Sequence, residues 1–319
     1  MKCKVCGNSK QNKSYMIREM MIGLREEFEY ILCSSCGCLQ ISEVPKNMLK
    51  YYGKDYYSFS MKTNFKHNKI KDYLTKQRDL YIVENQSNYL GQIINYMKPA
   101  SSFVKILSHL NITKNSRILD VGTGIGVRME PLVNMGYNVL GIDPYLEKDV
   151  INVNGLEILR KDIYEVEGQF DLIMLNHVFE HLEDPAKILS KINDLLSPNG
   201  KCLIRIPIIP SFAWEKYQEN WIQIDAPRHF FIHSNSSLEL LSRKAKLKIE
   251  KIIYDSIPFQ FIGSELYKRD ISMKEGDFRL NKENTLFSVT ELDEFIKKTK
   301  ELNSSKNGDQ AAFILTKMS

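Results

Sequence analysis

The residues best suited to chemistry in this chain fall into three groups. Cys3 and Cys6 form one C-x-x-C followed by Gly7, and Cys33 and Cys36 form a second followed by Gly37. A two-residue gap lets both sulfurs of a pair reach one metal, and the glycine after it permits the tight turn. Four thiolates favour a structural, tetrahedral zinc ion and leave no position for a reacting water. Cys38 is then a spare thiol, and Cys202, inside the apolar run KCLIRIP, reads as a buried core residue. The second group is His177, Glu180 and His181. Taken alone these spell H-x-x-E-H, a metallopeptidase signature, but no long zinc-binding helix surrounds them. The third is Asp225, Arg228 and His229 in DAPRH, with Trp214, Tyr217 and Trp221 just before it. A carboxylate, a guanidinium and an imidazole so close together suit sugar hydroxyls or a nucleotide diphosphate, and the aromatics suit a sugar face. The competing reading is an ion-paired lid whose aromatics are core. His67, His109 and His233 lack such company and are expected to be structural or on the surface.

The elements that position these groups change character at Arg117. Upstream, EFEYIL alternates like a strand entering the second cysteine pair. YYGKDYYSF (51–59) is too aromatic for a plain linker. KIKDYLTKQRDLYIVENQ and SNYLGQIINYMK carry apolar residues at helical spacings, and Pro99 ends the second. SSFVKILSHL reads as a short helix with serine at its N-cap. Downstream, the apolar runs RILDVG, NVLGID, EILRKD, FDLIML and KCLIRIP read as five strands. Between them GVRMEPLVNMG, NHVFEHL and PAKILSKINDLLS read as helices, which puts positions 177 and 181 on one helix face. LKIEKIIYD and AAFILTKM add two strands near the C-terminus. Apolar strands alternating with helices define a doubly wound, mostly parallel α/β sheet.

The first strand-to-helix turn is Asp120-Val-Gly122-Thr-Gly124-Ile-Gly126. Glycines there let the backbone approach a ligand at a helix N-terminus. Val127 occupies the place where a dinucleotide fingerprint needs its last glycine, and no G-K-[ST] follows, so neither NAD nor a P-loop fits. The ordered set ILDVGTGIG, VLGIDP, RKDI, FDLIMLNHVFEHLEDP and LSPNGKCLIRIP closely resembles the class I S-adenosylmethionine-dependent methyltransferases over about residues 100–319. The resemblance implies a seven-stranded sheet, with Asp120, Gly122, Gly124 and Gly126 around the methionine moiety. It further implies Asp143 on the ribose hydroxyls, Asp162 and Ile163 at the adenine, and Asn176 beneath the methionine part. His177, His181 and His229 are the candidate catalytic groups, His177 as possible general base; Asp225, Arg228, Trp221 and Tyr217 are the candidate substrate-binding set. The cysteine pairs, YYGKDYYSF, WIQIDAPRHFFIHS, FQFIGSELY and GDQAAFIL resemble methyltransferases of bacterial sugar and surface-polysaccharide modification. That resemblance implies a sugar or nucleotide-linked sugar as acceptor.

The expected division is a zinc-ribbon module over 1–58, a helical connector over 59–99 and the methyltransferase domain over 100–319, with an insertion about 256–310. The 319 residues are 43% apolar and 26% charged, which are globular values. No apolar run is long enough to span a membrane, and MKCKVCGNSK has no apolar leader, so a cytoplasmic protein with reduced cysteines is expected. Residues 1–116 carry 18 Lys/Arg against 9 Asp/Glu, whereas the rest carries 26 against 30. That basic stretch opens a second reading, a nucleic-acid or protein methyltransferase docking through its N-terminus. Nucleic acid is nevertheless not the expected partner. A third reading is a non-catalytic scaffold, against which the intact glycine turn argues.

Overall fold

The computed structural model describes residues 1–52, 69–85, 87–149 and 156–318, with backbone alone at 150 and 151. Residues 53–59 of the aromatic segment, the expected 58/59 boundary and His67 lie outside the described residues.

The N-terminal cysteine pairs occupy two equivalent turns. The Gly7 N–H donates to the Cys3 carbonyl and the Gly37 N–H to the Cys33 carbonyl, both at 2.9 Å. The Cys3 and Cys33 amides in turn bond Asn8 O and Cys38 O. Gly7 and Gly37 sit at φ +80° and +69°, where a side chain would be strained. These turns flank an antiparallel sheet of β1 (Lys13–Arg18), β2 (Glu27–Leu32) and β3 (Leu39–Ile41). The expected strand EFEYIL is β2.

Three helices follow: α1 (Lys69–Val83), α2 (Tyr89–Met97) and α3 (Ser102–Leu107). α2 stops before Pro99, and the Ser101 side chain accepts from the Val104 N–H as the expected cap. A larger sheet contains β4 (Ile118–Val121), β5 (Val139–Ile142), β6 (Val150–Ile151), β7 (Leu156–Leu159), β8 (Phe170–Asn176), β9 (Leu196–Pro207), β11 (Leu247–Tyr254) and β12 (Gln310–Lys317). Its order is β11-β12-β9-β8-β4-β5-β7-β6, with β12 antiparallel between β9 and β11 and the two-residue β6 antiparallel at the edge. The β5, β4, β8 and β9 neighbours all pair in parallel. Helices α4 (Glu130–Met135), α5 (Pro185–Leu195), α6 (Phe212–Tyr217), α7 (Asn235–Lys244), α8 (Phe259–Lys268) and α9 (Val289–Ser304) intervene. Setting the short β6 aside, the seven remaining strands have the topology of the class I methyltransferase fold. The expected insertion is α8, α9 and the loop between them. No helix among the described residues is long and apolar enough to cross a membrane.

One expected helix is corrected. NHVFEHL forms only a single 3-10 turn, Phe179–His181, and His177 sits at φ +55°. The His177 N–H donates to Arg205 O and the Phe230 N–H to Glu180 O, so neighbouring strands claim the backbone groups a helix would need. The helix starts at Pro185, where Asp184 caps it. Positions 177 and 181 therefore share no helix face.

The two sheets interlock. β10 (Phe231–Ile232), nearly 200 residues downstream, pairs with β3 and completes the first sheet. The Tyr30 hydroxyl donates to His229 O at 2.8 Å, and a bridge between Ile208 and His233 links the sheets. The insertion also reaches the ribbon: the Met273 N–H donates to Met20 O, and Arg18 and Arg25 both pair with Asp270.

Candidate active site

The chain runs from β4 outward to β5 and β7, then returns to the other side of β4 as β8. In an open α/β sheet the ligand crevice opens at the carboxyl ends where the order reverses, here between β4 and β8. Asp120 in β4 and Asn176 at the end of β8 meet across it, with Asn176 Nδ2 3.4 Å from Asp120 Oδ1. Both are buried. Burial pushes the Asp120 carboxyl up to about 7, a shift that the Thr123 and Asn176 contacts only partly oppose. Asn176 Oδ1 is buried with no hydrogen-bond partner among the described residues.

The turn after β4 places Gly122 at φ +68°, where an added Cβ would lie 2.5 Å from Val178 Cγ2. Gly124 donates its N–H to Asp143 Oδ2 at 3.0 Å, and Tyr145 donates to Asp143 Oδ1 at 2.9 Å. Each Asp143 oxygen thereby keeps one acceptor position. Desolvation raises this carboxyl against the pull of those two N–H groups. Asp162 caps the turn Ile163–Glu165, accepting from the Tyr164 N–H, while Ile163 is buried. An unpartnered buried amide oxygen beside a buried carboxylate, a glycine turn and a half-satisfied carboxylate at the next strand form a cradle for a ligand carrying an ammonium and a diol. These residues fit S-adenosylmethionine.

Beyond β8 lie the imidazoles. Arg205, in β9, donates from Nη1 to His177 Nε2 at 2.9 Å and from Nε to Asp255 Oδ2 at 2.5 Å. A guanidinium can only donate, so the His177 proton must sit on Nδ1, 3.4 Å from Glu180 Oε1. Burial, then the charge of Arg205, hold His177 well below the usual histidine range. The nitrogen expected to act as general base is thus already taken. His181 and His229 are differently placed. Their Nδ1 atoms lie 2.9 Å from Arg228 O and 2.8 Å from Gln223 O. A carbonyl only accepts, so both Nδ1 atoms carry the proton and both Nε2 atoms keep a lone pair. Burial lowers His181 to about 3 and depresses His229 as well. Their rings meet edge to face at 4.6 Å.

The expected substrate set is seated otherwise. Arg228 is 0% exposed and pairs with Asp225 Oδ1 at 2.5 Å, with Glu19 Oε1 at 3.2 Å and with Tyr51 O at 2.7 Å. Asp225 lies below the usual carboxylate range: burial alone would raise it, and the Arg228 guanidinium more than offsets this. Trp221 is buried with Nε1 on Asp309, Trp214 packs edge to face on Tyr15 and Trp221, and the Tyr217 hydroxyl donates to Glu265. The ion-paired lid with core aromatics is therefore the arrangement found; these side chains join the lid to the ribbon. Glu19, absent from the expected set, anchors that joint, accepting in addition from the Met21, Ile22 and Leu24 N–H groups. His233 is buried against Ser237 and stacked on Phe231, and His109 lies beside Lys251, as expected of non-catalytic histidines.

The sulfurs of Cys3, Cys6, Cys33 and Cys36 lie within 4.8 Å of one another, with Cys3–Cys36 at 3.7 Å and Cys6–Cys33 at 3.5 Å. Zinc–sulfur bonds of about 2.3 Å in a tetrahedron place sulfurs about 3.8 Å apart, so this set fits a zinc ion. Cys38 is buried beside it, and Cys202 is buried in β9.

Parts of the chain are similar to known proteins. A family model described as "Methyltransferase domain" matches residues 98–252. The ubiquinone biosynthesis O-methyltransferase of Rickettsia typhi is 28% identical over 121 residues, 35% of this chain and 49% of that one. Its counterpart in Dinoroseobacter shibae is 30% identical over 111 residues, 32% and 45% of the two chains. This chain thus spans about half the length of the curated relatives it matches. Among solved structures, the 1,6-didemethyltoxoflavin-N1-methyltransferase of Burkholderia thailandensis is 13% identical with a TM-score of 0.41, covering 79% of this chain and 92% of that one.

Proposed function

We propose that this chain is an S-adenosylmethionine-dependent methyltransferase with a structural zinc on Cys3, Cys6, Cys33 and Cys36, acting on a hydroxyl of a sugar or sugar-linked small molecule. The observation that carries the reading is the Asp120–Asn176 pair at the crevice between β4 and β8, next to the glycine turn and inside the stretch matched by the methyltransferase family model. The O-methyltransferase relatives support an oxygen acceptor, and the resemblance of the flanking segments to sugar-modifying enzymes supports the sugar.

Asp120 and Asn176 Oδ1 would take the ammonium, the Gly122–Gly126 turn would lie along the methionine part, Asp143 would accept from the ribose hydroxyls, and Asp162 with the Ile163 N–H would face the adenine. When bound, the cofactor supplies an activated methyl group and keeps the electron pair of the bond that breaks. The chain must hold the acceptor oxygen in line and dispose of its proton. We assign that task to Glu180, His181 and His229; His177 is held by Arg205. Binding of labelled S-adenosylmethionine to wild type and its loss in Asp143→Ala test the reading; equal binding by both removes the ribose assignment.

A further inference from the structure

Glu180 has no partner to match its burial. It is 0% exposed, and among the described residues neither carboxylate oxygen takes part in a hydrogen bond. A buried, unpaired carboxylate costs several kcal/mol unless a charge or a donor meets it (on the order of the buried-ion penalty). The nearest groups are His177 Nδ1 at 3.4 Å and His229 Nε2 at 3.9 Å from Oε1. Of the nearby guanidiniums, Arg228 pairs with both Asp225 and Glu19 and Arg205 pairs with Asp255, while Arg128 and Arg205 act on Glu180 by their charge.

Two imidazoles flank Glu180. His181 and His229 both point Nδ1–H at backbone carbonyls, and His229 Nε2 lies 3.9 Å from Glu180 Oε1. One donor atom from each of Glu180, His181 and His229 lies within 4.8 Å of the other two. Metal-bound histidines are characteristically held in this way, by a carbonyl or carboxylate on the far nitrogen. Asp225 Oδ2, 3.8 Å from His229 Nε2, adds a further acidic group at the edge of the cluster.

The geometry points to a second metal site, distinct from the four cysteines, in which Glu180, His181 and His229 bind a divalent first-row transition ion such as Zn²⁺, Mn²⁺ or Co²⁺. Two imidazoles and one carboxylate suit such ions better than Mg²⁺ or Ca²⁺, which prefer oxygen throughout. Ligand bonds of about 2.1 Å bring adjacent donors to about 3 Å, so the ion draws the three side chains together by small rotations. Three protein ligands leave positions open at the carboxyl end of β8. Resting on the methyltransferase reading, an ion held there would make a nearby acceptor hydroxyl more acidic; its proton would pass to water as the oxygen electron pair forms the new bond to the methyl carbon and the carbon–sulfur pair leaves with the cofactor's sulfur. The H-x-x-E-H spacing therefore misnames the ligand set: His177 belongs to Arg205, and His229, 52 positions on, takes its place.

The test is metal binding by the full chain, which does not depend on turnover. Wild type equilibrated with Co²⁺ should take up one equivalent whose visible spectrum lacks thiolate-to-metal charge transfer, which marks ion at the cysteines. Glu180→Gln and His229→Gln should each weaken that equivalent by tenfold or more while leaving the cysteine-bound metal in place. Wild type that binds no metal outside the cysteines overturns the site, whatever the variants do. So does unchanged affinity in both variants when each remains folded by circular dichroism. Failure of cofactor binding with this equivalent intact would overturn the methyltransferase reading and leave the site standing.

Discussion

On the proposed reading, Asp120 should make cofactor binding sensitive to pH. Its carboxyl sits near 7 in the free protein because burial disfavours the charge, yet an ammonium ligand needs it ionised. As pH falls through that value the binding form is lost, so the Kd for S-adenosylhomocysteine should rise as pH drops from about 8 to about 6, by up to about tenfold per unit in the limit. Calorimetric titration across that range checks this, and Asp120→Asn should bind weakly at every pH with a flat profile. Asp143 should contribute at least about tenfold in affinity, since it is placed to accept from two hydroxyls. The acidic ends of β4 and β5 are legible from local sequence because a strand, a glycine turn and a carboxylate are all specified within a few positions. Glu19 is not legible, because its meaning lies in Arg228, 209 positions away, and nothing in EMMIGLREE marks that partner. Replacing Glu19 by Ala leaves Arg228 to Asp225 alone and removes the acceptor of three backbone N–H groups, and should cost about 1–3 kcal/mol in chemical denaturation, more than a surface glutamate.

At the scale of elements, the glycine turn and the segment after β8 act as one unit. Gly122→Ala forces a Cβ toward Val178, the residue that follows His177, in a backbone conformation that alanine resists. The expected cost is about 1–3 kcal/mol, read as a lower melting temperature together with weakened cofactor binding. Most strands could be read directly, since the runs ending in Asp120, Asp143 and Asn176 are apolar stretches buried on both faces. NHVFEHL could not, because its apolar spacing is helical while its backbone is engaged by Arg205 and Phe230 from elsewhere in the fold. That local and tertiary preferences part company at this segment, where the imidazoles and Glu180 gather, is what a functional site produces.

For the whole molecule, the cysteine-bearing sheet, the larger sheet and the segment 256–310 interlock. β10 closes the ribbon sheet, Glu19 meets Arg228, and the insertion bonds the loop after β1. On the zinc reading, a strong chelator, or Cys33→Ser, should therefore destabilise the half that carries the larger sheet as well. Calorimetry should show a single transition that moves to lower temperature as a unit; two separate transitions would contradict this.

The position of β10 also gives the protein a timetable. During synthesis β3 leaves the ribosome about 190 residues before the strand that pairs with its open edge. At roughly 5–20 residues per second, that edge waits about 10–40 s. An unpaired strand edge invites partners from other chains, and through that interval a metal on the four cysteines would be the bond that keeps the first three strands folded on themselves.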